Sequence, residues 1–442
     1  MRTLAIALLA ALGSQAAEPA WKAGVARAAI TPREPIWLAG YAARTKPSEG
    51  VLTDIWAKAL ALQDGSGATS VLVSVEILGF SREMSAEIAR RALERYKLPR
   101  ERLILSATHT HSAPVTASLL QPAYPLDDAQ RETIRCYTSW LLDQVTDVIG
   151  RAIADLAPAR LEFEQGLAGF AVNRRRVGAR ARPGPVDHDV PVLAVRAPDG
   201  KLRAVLFGYA CHPTVLADYV INGDYAGFAQ QALESEYPGA TAIFVLNTAA
   251  DANPLPRRSV ELARIYGRIL AAAVREVLNG KMKPVEGPLR AALEYVDLPF
   301  QDPPSREQLT AALQDRDAMH RRWARLMLET LDREGRLPAS YPCPVQVWQF
   351  RPSLTIIVLA GEVVVDYALR FKSQFGWDDT WVVGYSNDVF AYIPSLRVLR
   401  EGGYEGGGAM IAYGQPAPFR ESVEEIIAAK VQELVSRLRA AR

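Results

Sequence analysis

The chain has 442 residues, 49% hydrophobic and 23% charged, so it can bury a sizeable core and lacks the charge bias of a disordered polymer. Its 51 lysines and arginines nearly cancel its 49 aspartates and glutamates, and a net charge of +2 gives no case for nucleic acid as a partner. Three cysteines, Cys136, Cys211 and Cys343, are too few for a disulfide scaffold, and their odd number leaves at least one thiol unpaired in a monomer.

At the N-terminus Arg2 precedes an apolar stretch over residues 4–12, and Ser14 and Ala16 follow at the spacing of a cleavage site. Residues 1–16 therefore read as a signal peptide, too short to span a bilayer. No later run reaches the ~20 apolar residues of a transmembrane segment. The expected mature chain is one soluble domain over 17–442, secreted or periplasmic and without a lipobox cysteine.

Further along, strands are predicted at 70–75, 103–107, 161–163, 190–195, 205–210, 242–246, 345–350, 355–359 and 381–383. Helices are predicted at 83–96, 127–155, 226–237, 260–278, 305–333, 364–375 and 420–439. The alternation runs without a linker or repeat, and Asp199-Gly200 marks a tight hairpin. The predicted fold is α/β, with mixed sheets packed against helices, and a doubly wound dinucleotide fold is disfavoured.

Of the five histidines, three stand where apolar runs break into polar sequence: His109 and His111 after Leu103-Ile104-Leu105, and His212 after Val205-Leu206-Phe207. Scarce imidazoles at strand ends suit a metal or an acid/base site. In a strand, residues i and i+2 face one side, so His109 can serve as ligand and His111 as acid/base group in one cavity. The alternative is a pair of buried histidines satisfied by backbone carbonyls. His188 reads as a turn residue, although its neighbouring carboxylates would allow a metal, and His320 as a solvated residue of a charged helix.

Three other apolar runs end in polar groups: Asn247 through Asp251 to Asn253, Glu362, and Tyr385 through Asp388. Ligands in open α/β sheets gather beyond strand carboxyl ends, so these endings can share a crevice, and two histidines plus a carboxylate suffice for a catalytic zinc with an open position. Glu362 reads equally as a residue at a helix N-terminus. The run Arg174-Arg175-Arg176, continuing to Arg180 and Arg182, is either a solvated loop or a grip for an anionic or carbonyl group. The glycines around Tyr404 suit either a loop closing over substrate or an exposed turn; no Gly-Lys-Ser/Thr follows, which excludes a nucleotide loop. Cys211 is expected in the core, pointing away from His212.

The segments Gly24-Val25-Ala26-Arg27-Ala28-Ala29-Ile30-Thr31-Pro32, Gly40-Tyr41-Ala42, Ser106-Ala107-Thr108-His109-Thr110-His111-Ser112, His212-Pro213-Thr214, Gly223-Asp224-Tyr225-Ala226-Gly227 and Tyr404-Glu405-Gly406, in this order, resemble the neutral (non-lysosomal) ceramidases. These are zinc amidases that cut the N-acyl bond of ceramide. The resemblance implies Zn2+ held by His109, His212, Glu362 and Tyr392, the last matching the tyrosine of a Gly-Tyr-Val segment; an ordinary half-buried aromatic is the other reading of Tyr392. It implies His111 as acid/base group, Arg174 and Tyr404 gripping the carbonyl, and a lipid or small-molecule N-acyl substrate.

Two features depart from the family. Its Gly-Asp-x-Ser-Pro-Asn, whose serine is proposed to act in cleavage, is here Ala250-Asp251-Ala252-Asn253-Pro254-Leu255. Asparagine cannot be an alkoxide nucleophile, so metal-activated water is expected to attack, with Asn253 as a further oxyanion donor. The family's immunoglobulin-like C-terminal domain is also not expected after the 420–439 helix. The leading expectation is a zinc-dependent amidohydrolase acting on linear amides. Ester or phosphoester hydrolysis, or a non-catalytic lipid- or glycan-binding role, are the alternatives.

Overall fold

A computed structural model describes residues 21–176 and 183–440; the expected signal peptide, Arg180 and Arg182 lie outside these residues. The larger sheet runs Thr241–Leu246, Leu202–Tyr209, Asp189–Arg196, Ala157–Leu167, Trp21–Ala29, Trp56–Asp64, Thr69–Val75, Leu103–Ala107, and Lys283–Pro284 adds to Ala157–Leu167. Its two outermost pairs are parallel and the rest antiparallel, so the sheet is mixed as predicted. The predicted hairpin closes it locally, with Gly200 at φ +88° and its N–H donating to Ala197 O at 2.9 Å.

A second sheet of four strands runs Leu289–Pro299, Ser340–Phe350, Leu354–Leu359 and Thr380–Val383, with only the last pair parallel. The sheets stack face to face: Leu60, Leu62, Leu72, Ile104 and Phe163 pack with Trp348, Ile356, Val358 and Trp381. On the far side of the larger sheet, Ala57, Ala59, Ala61, Val71 and Val73 meet the helices Arg82–Tyr96 and Asp128–Ala154. On the far side of the smaller, Val345, Val347 and Ile357 meet Asp366–Phe375 and Val423–Ala440. The order of layers is helix, sheet, sheet, helix.

This layering explains what the periodicity hides. Trp56–Asp64 and Trp21–Ala29 were not among the predicted strands. Trp56–Asp64 is buried on both faces and so lacks the apolar/polar alternation of a half-exposed strand, whereas Trp21–Ala29 is partly exposed and built largely of glycine and alanine, which carry little apolar signal. Leu289–Pro299, also unpredicted, carries charge on both of its faces, Glu294 on one and Asp297 on the other, which blurs the alternation. The single helix expected at 305–333 is corrected to two, Arg306–Ala312 and Ala318–Glu334. Asp315 and Asp317 break it: Asp315 accepts from Asp317 N at 2.8 Å, and Asp317 caps the new helix by accepting from Met319 N at 2.8 Å.

Candidate metal centre

The predicted same-side alternation is not what brings His109 and His111 together. Their strand ends at Ala107, and His109 takes the left-handed conformation at φ +63°. Its N–H donates to Ile77 O at 2.9 Å and its ring Nδ1 to Leu78 O at 2.6 Å, so the turn is bonded on both sides. His212 likewise lies beyond its strand, which ends at Tyr209; its N–H donates to Ala252 O at 3.0 Å and its Nδ1 to Ala249 O at 2.7 Å. Tyr225, from the Gly223–Gly227 segment, secures this turn by donating its hydroxyl to Cys211 O. Cys211 itself is buried in the core.

Carbonyl oxygens only accept, so in both rings Nδ1 carries a proton, and Nε2 is left to donate to a carboxylate or, once deprotonated, to bind a cation. Carbonyl-satisfied histidines thus describe half of each ring. The other half faces Glu362 Oε2, at 3.0 Å from His212 Nε2 and 3.4 Å from His109 Nε2. Glu362 belongs to a two-residue strand, not to a helix: Glu362–Val363 pairs in parallel with Tyr392–Ile393, and the helix begins at Asp366. Burial alone would raise the Glu362 carboxyl, but the facing His109 and His212 overcome it and hold it well below the usual carboxylate range. Burial, then the nearby Arg174, brings His212 down to about 4. Three potential ligand atoms thus converge in a buried place, where a cation would take over from the protons that otherwise join them. Tetrahedral zinc, with ligands at about 2.0–2.2 Å, spaces ligand atoms roughly 3.3 Å apart, so these residues fit the ion.

His111 stands beside this group without touching Glu362. Its ring centroid is 4.9 Å from that of His109 and 5.9 Å from that of His212, and neither ring nitrogen has a hydrogen-bond partner. Ligand atoms of the three histidines all lie within 4.8 Å of one another. Burial, then His109 and His212, holds the His111 imidazole well below its ordinary value, so it is neutral. Gly40 makes room for it: at φ +92°, a Cβ there would lie 2.4 Å from His111 Cγ and Nδ1.

Arg174 donates from Nε to Glu405 Oε1 at 2.7 Å and from Nη2 to Tyr392 Oη at 3.0 Å, and its guanidinium lies 5.9 Å over the Tyr404 ring. Arg174, Tyr392, Tyr404, Asn253 and His111 line one cavity of about 1000 Å³. Asn253 sits in the strand Ala252–Pro254, opposite Val172, where its Oδ1 accepts from Thr214 Oγ1 at 3.4 Å. The neighbouring Asp251 braces the wall, accepting from Val365 N at 2.9 Å and Asn173 Nδ2 at 2.9 Å.

Not every polar run-ending reaches the site. Asn247 accepts from Trp381 Nε1 at 2.8 Å and Asn387 from Arg100 at 2.9 Å, and Tyr341 donates to Asp388 at 2.7 Å; all three fasten neighbouring elements. Tyr385 does reach it, its ring 4.5 Å from that of His109. Tyr413 was missed: it donates its hydroxyl to Glu362 Oε1, and nothing in Ile411-Ala412-Tyr413-Gly414 singles it out. His188 and His320 stand apart, bonded to Ala171 O at 3.0 Å and to Asp315 Oδ2 at 2.7 Å, and Asp187 and Asp189 beside His188 are taken up by Lys372. All three cysteines are free thiols.

Residues 21–254, a little over half of the chain, match the family "Neutral/alkaline non-lysosomal ceramidase, N-terminal". The chain belongs to this ceramidase family. Among solved structures, the neutral ceramidase from Pseudomonas aeruginosa superposes with a TM-score of 0.71 at 19% identity, over 94% of this chain and 75% of that one. A structure described as "Ceramidase complexed with C2" gives 0.72 at 17% identity, over 94% and 76%. At such identities these two likenesses carry the fold, and the mixed-sheet α/β architecture of this family member agrees with theirs. Among its described residues no helix is long and apolar enough to cross a membrane.

Proposed function

We propose that this ceramidase relative is a zinc-dependent hydrolase of an N-acyl amide, with 17–442 acting as one domain. The observation that carries the reading is the convergence of His109 Nε2, His212 Nε2 and Glu362 Oε2 in a buried place. These three would hold the ion, with Tyr392 as a fourth protein ligand. Zinc there supplies Lewis-acid polarisation and lowers the pKa of bound water to about 7. His111, neutral and with both ring nitrogens unpartnered, takes the proton of the attacking water and returns it to the departing amine as the C–N bond breaks. Arg174 and Tyr404 orient the carbonyl, and Asn253 takes the position of the family serine as an oxyanion donor in place of a nucleophile.

An amide is preferred over an ester because its leaving nitrogen needs the proton that His111 can deliver. A pure binding role is disfavoured because holding a ligand needs no such group beside a metal. Export follows from the pattern of residues 1–16. The test is fatty-acid release from a panel of labelled N-acyl amides, ceramide included, by zinc-loaded and chelator-treated protein and by His109→Ala. Zinc-dependent release that the variant loses supports the reading; full activity in the chelated protein or the variant refutes the assigned site.

A further inference from the structure

The cavity above His111 is lined, among the described residues, by five arginines and two glutamates. Glu405 pairs with Arg174 at 2.7 Å and with Arg175 at 2.6 Å, and Glu401 pairs with Arg175 at 3.1 Å and Arg176 at 2.5 Å. Three arginines and both acids close into that network. Arg257 and Arg258 stay outside it. Arg257 makes no hydrogen bond or ion pair with any described residue, and partial burial and then the charge of Arg258 push its guanidinium below its ordinary value. Among the described residues Arg258 has only the Tyr41 Oη as a hydrogen-bond partner for its side chain, at 3.1 Å, and lies 5.2 Å over that ring. Its backbone is held at φ +92° by an N–H bond to Val215 O at 2.7 Å, so it is positioned before any ligand arrives.

A third cation adds to theirs from below. Arg44 is 3% exposed, its guanidinium 4.9 Å over the same Tyr41 ring. It bonds to carbonyl oxygens of Ala39, His111 and Asp218 and to no carboxylate. Cations gathered at the rim of a cavity without matching acids favour an anion there. The apolar provision is slight, since Leu255 is the one aliphatic side chain in the lining.

We infer that the amide substrate carries an oxyanion, a carboxylate or a phosphate, which Arg257 and Arg258 bind at the cavity mouth while the acyl bond lies near His111. The planar guanidinium fork matches both groups. This rests on the amide reading for the position of the reacting bond and adds to it the chemical class of the substrate.

The test uses zinc-loaded protein and three uncleavable probes in which CO–CH2 replaces the amide CO–NH. One is built on dodecanoylglycine (carboxylate), one on dodecanoyl-phosphoethanolamine (phosphate), and one on dodecanoyl-ethanolamine (uncharged). At low salt an anionic probe is expected to bind about tenfold or more tighter than the uncharged one, with the margin shrinking as salt rises. The stronger anionic probe identifies the source. Arg257→Gln with Arg258→Gln is expected to reduce the anionic-to-neutral ratio to below about threefold; should the pair fail to fold, Arg257→Gln alone, at a side chain without partners among the described residues, reads the same ratio. Equal binding of all probes, or a ratio the variants leave unchanged, overturns the inference. Hydrolysis of the cleavable counterparts is scored separately. Charge preference without any hydrolysis overturns the amide reading alone, and hydrolysis without charge preference overturns this inference alone.

Discussion

Replacing Gly40 by alanine separates proton transfer from metal binding. The new Cβ would lie 2.4 Å from two atoms of the His111 ring, whereas carbon contacts are ordinary at about 3.5 Å, so the ring has to retreat by roughly 1 Å. It retreats against the His109 and Tyr41 rings, each 4.9 Å away. A displacement of that size at a proton-transfer group is worth about 10²-fold in kcat. Alanine at φ +92° costs a further ~1–2 kcal/mol of stability, which in a chain this long lowers Tm by only a few degrees. His212 and Glu362 are untouched and His109 stays fastened by its bonds to Ile77 O and Leu78 O, so zinc content is expected to stay at one per chain. The assay is steady-state kinetics on the best N-acyl substrate beside metal analysis and thermal melting. Undiminished kcat would refute the placement of His111 in proton transfer; loss of zinc with kcat would make His111 a ligand instead.

Asn253→Ala is expected to lower kcat by about 10²–10³-fold with little change in KM, the cost of removing one oxyanion donor; an unchanged kcat in stopped assays removes Asn253 from that role. Tyr413→Phe deletes the hydroxyl bound to Glu362 Oε1 and is expected to weaken zinc binding about 10–100-fold in competition with a chelator dye, while wild-type affinity would make that bond incidental. Burial raises Glu76 from 4.5 to about 7, so the native state holds this proton more tightly than the unfolded chain. Its contribution is full below pH 4.5 and is lost as pH rises through about 7. Denaturant titrations across that window should show a decline of about 2–4 kcal/mol from this group, flattened in Glu76→Gln; parallel curves for the two proteins would contradict it.

Fold class and site were legible to different depths. Strand 103–107 and the Asp199-Gly200 hairpin stood out because a local signal, an apolar run or a turn dipeptide, decides them. Trp56–Asp64 did not, because Ala57, Ala59 and Ala61 face helices while Leu60 and Leu62 face the other sheet, and both faces read as apolar. His109, His111 and His212 were found by scarcity and position. Tyr404 lies in one of the ordered family segments, Arg174 and Tyr392 were carried over from the resemblance position by position, and the three line one cavity. The reasoning from strand alternation reached His111 for the wrong cause, since a left-handed turn and the space at Gly40 set its place. Tyr413 and the lack of a partner for Arg257 among the described residues were invisible because each acquires meaning only from chain distant in sequence.

The stacked sheets give the proposed ion a mechanical task. His109 and His212 hang from the ends of the larger sheet, whereas Glu362 and Tyr392 come from chain that follows the first strands of the smaller one. Neither half holds the full proposed ligand set, so a bound ion would be a rivet across the seam that could not be captured until the halves had docked. Metal uptake during refolding would then time the last assembly step and not the early collapse, and stripping the ion would loosen the joint where the substrate enters before it disturbed either sheet.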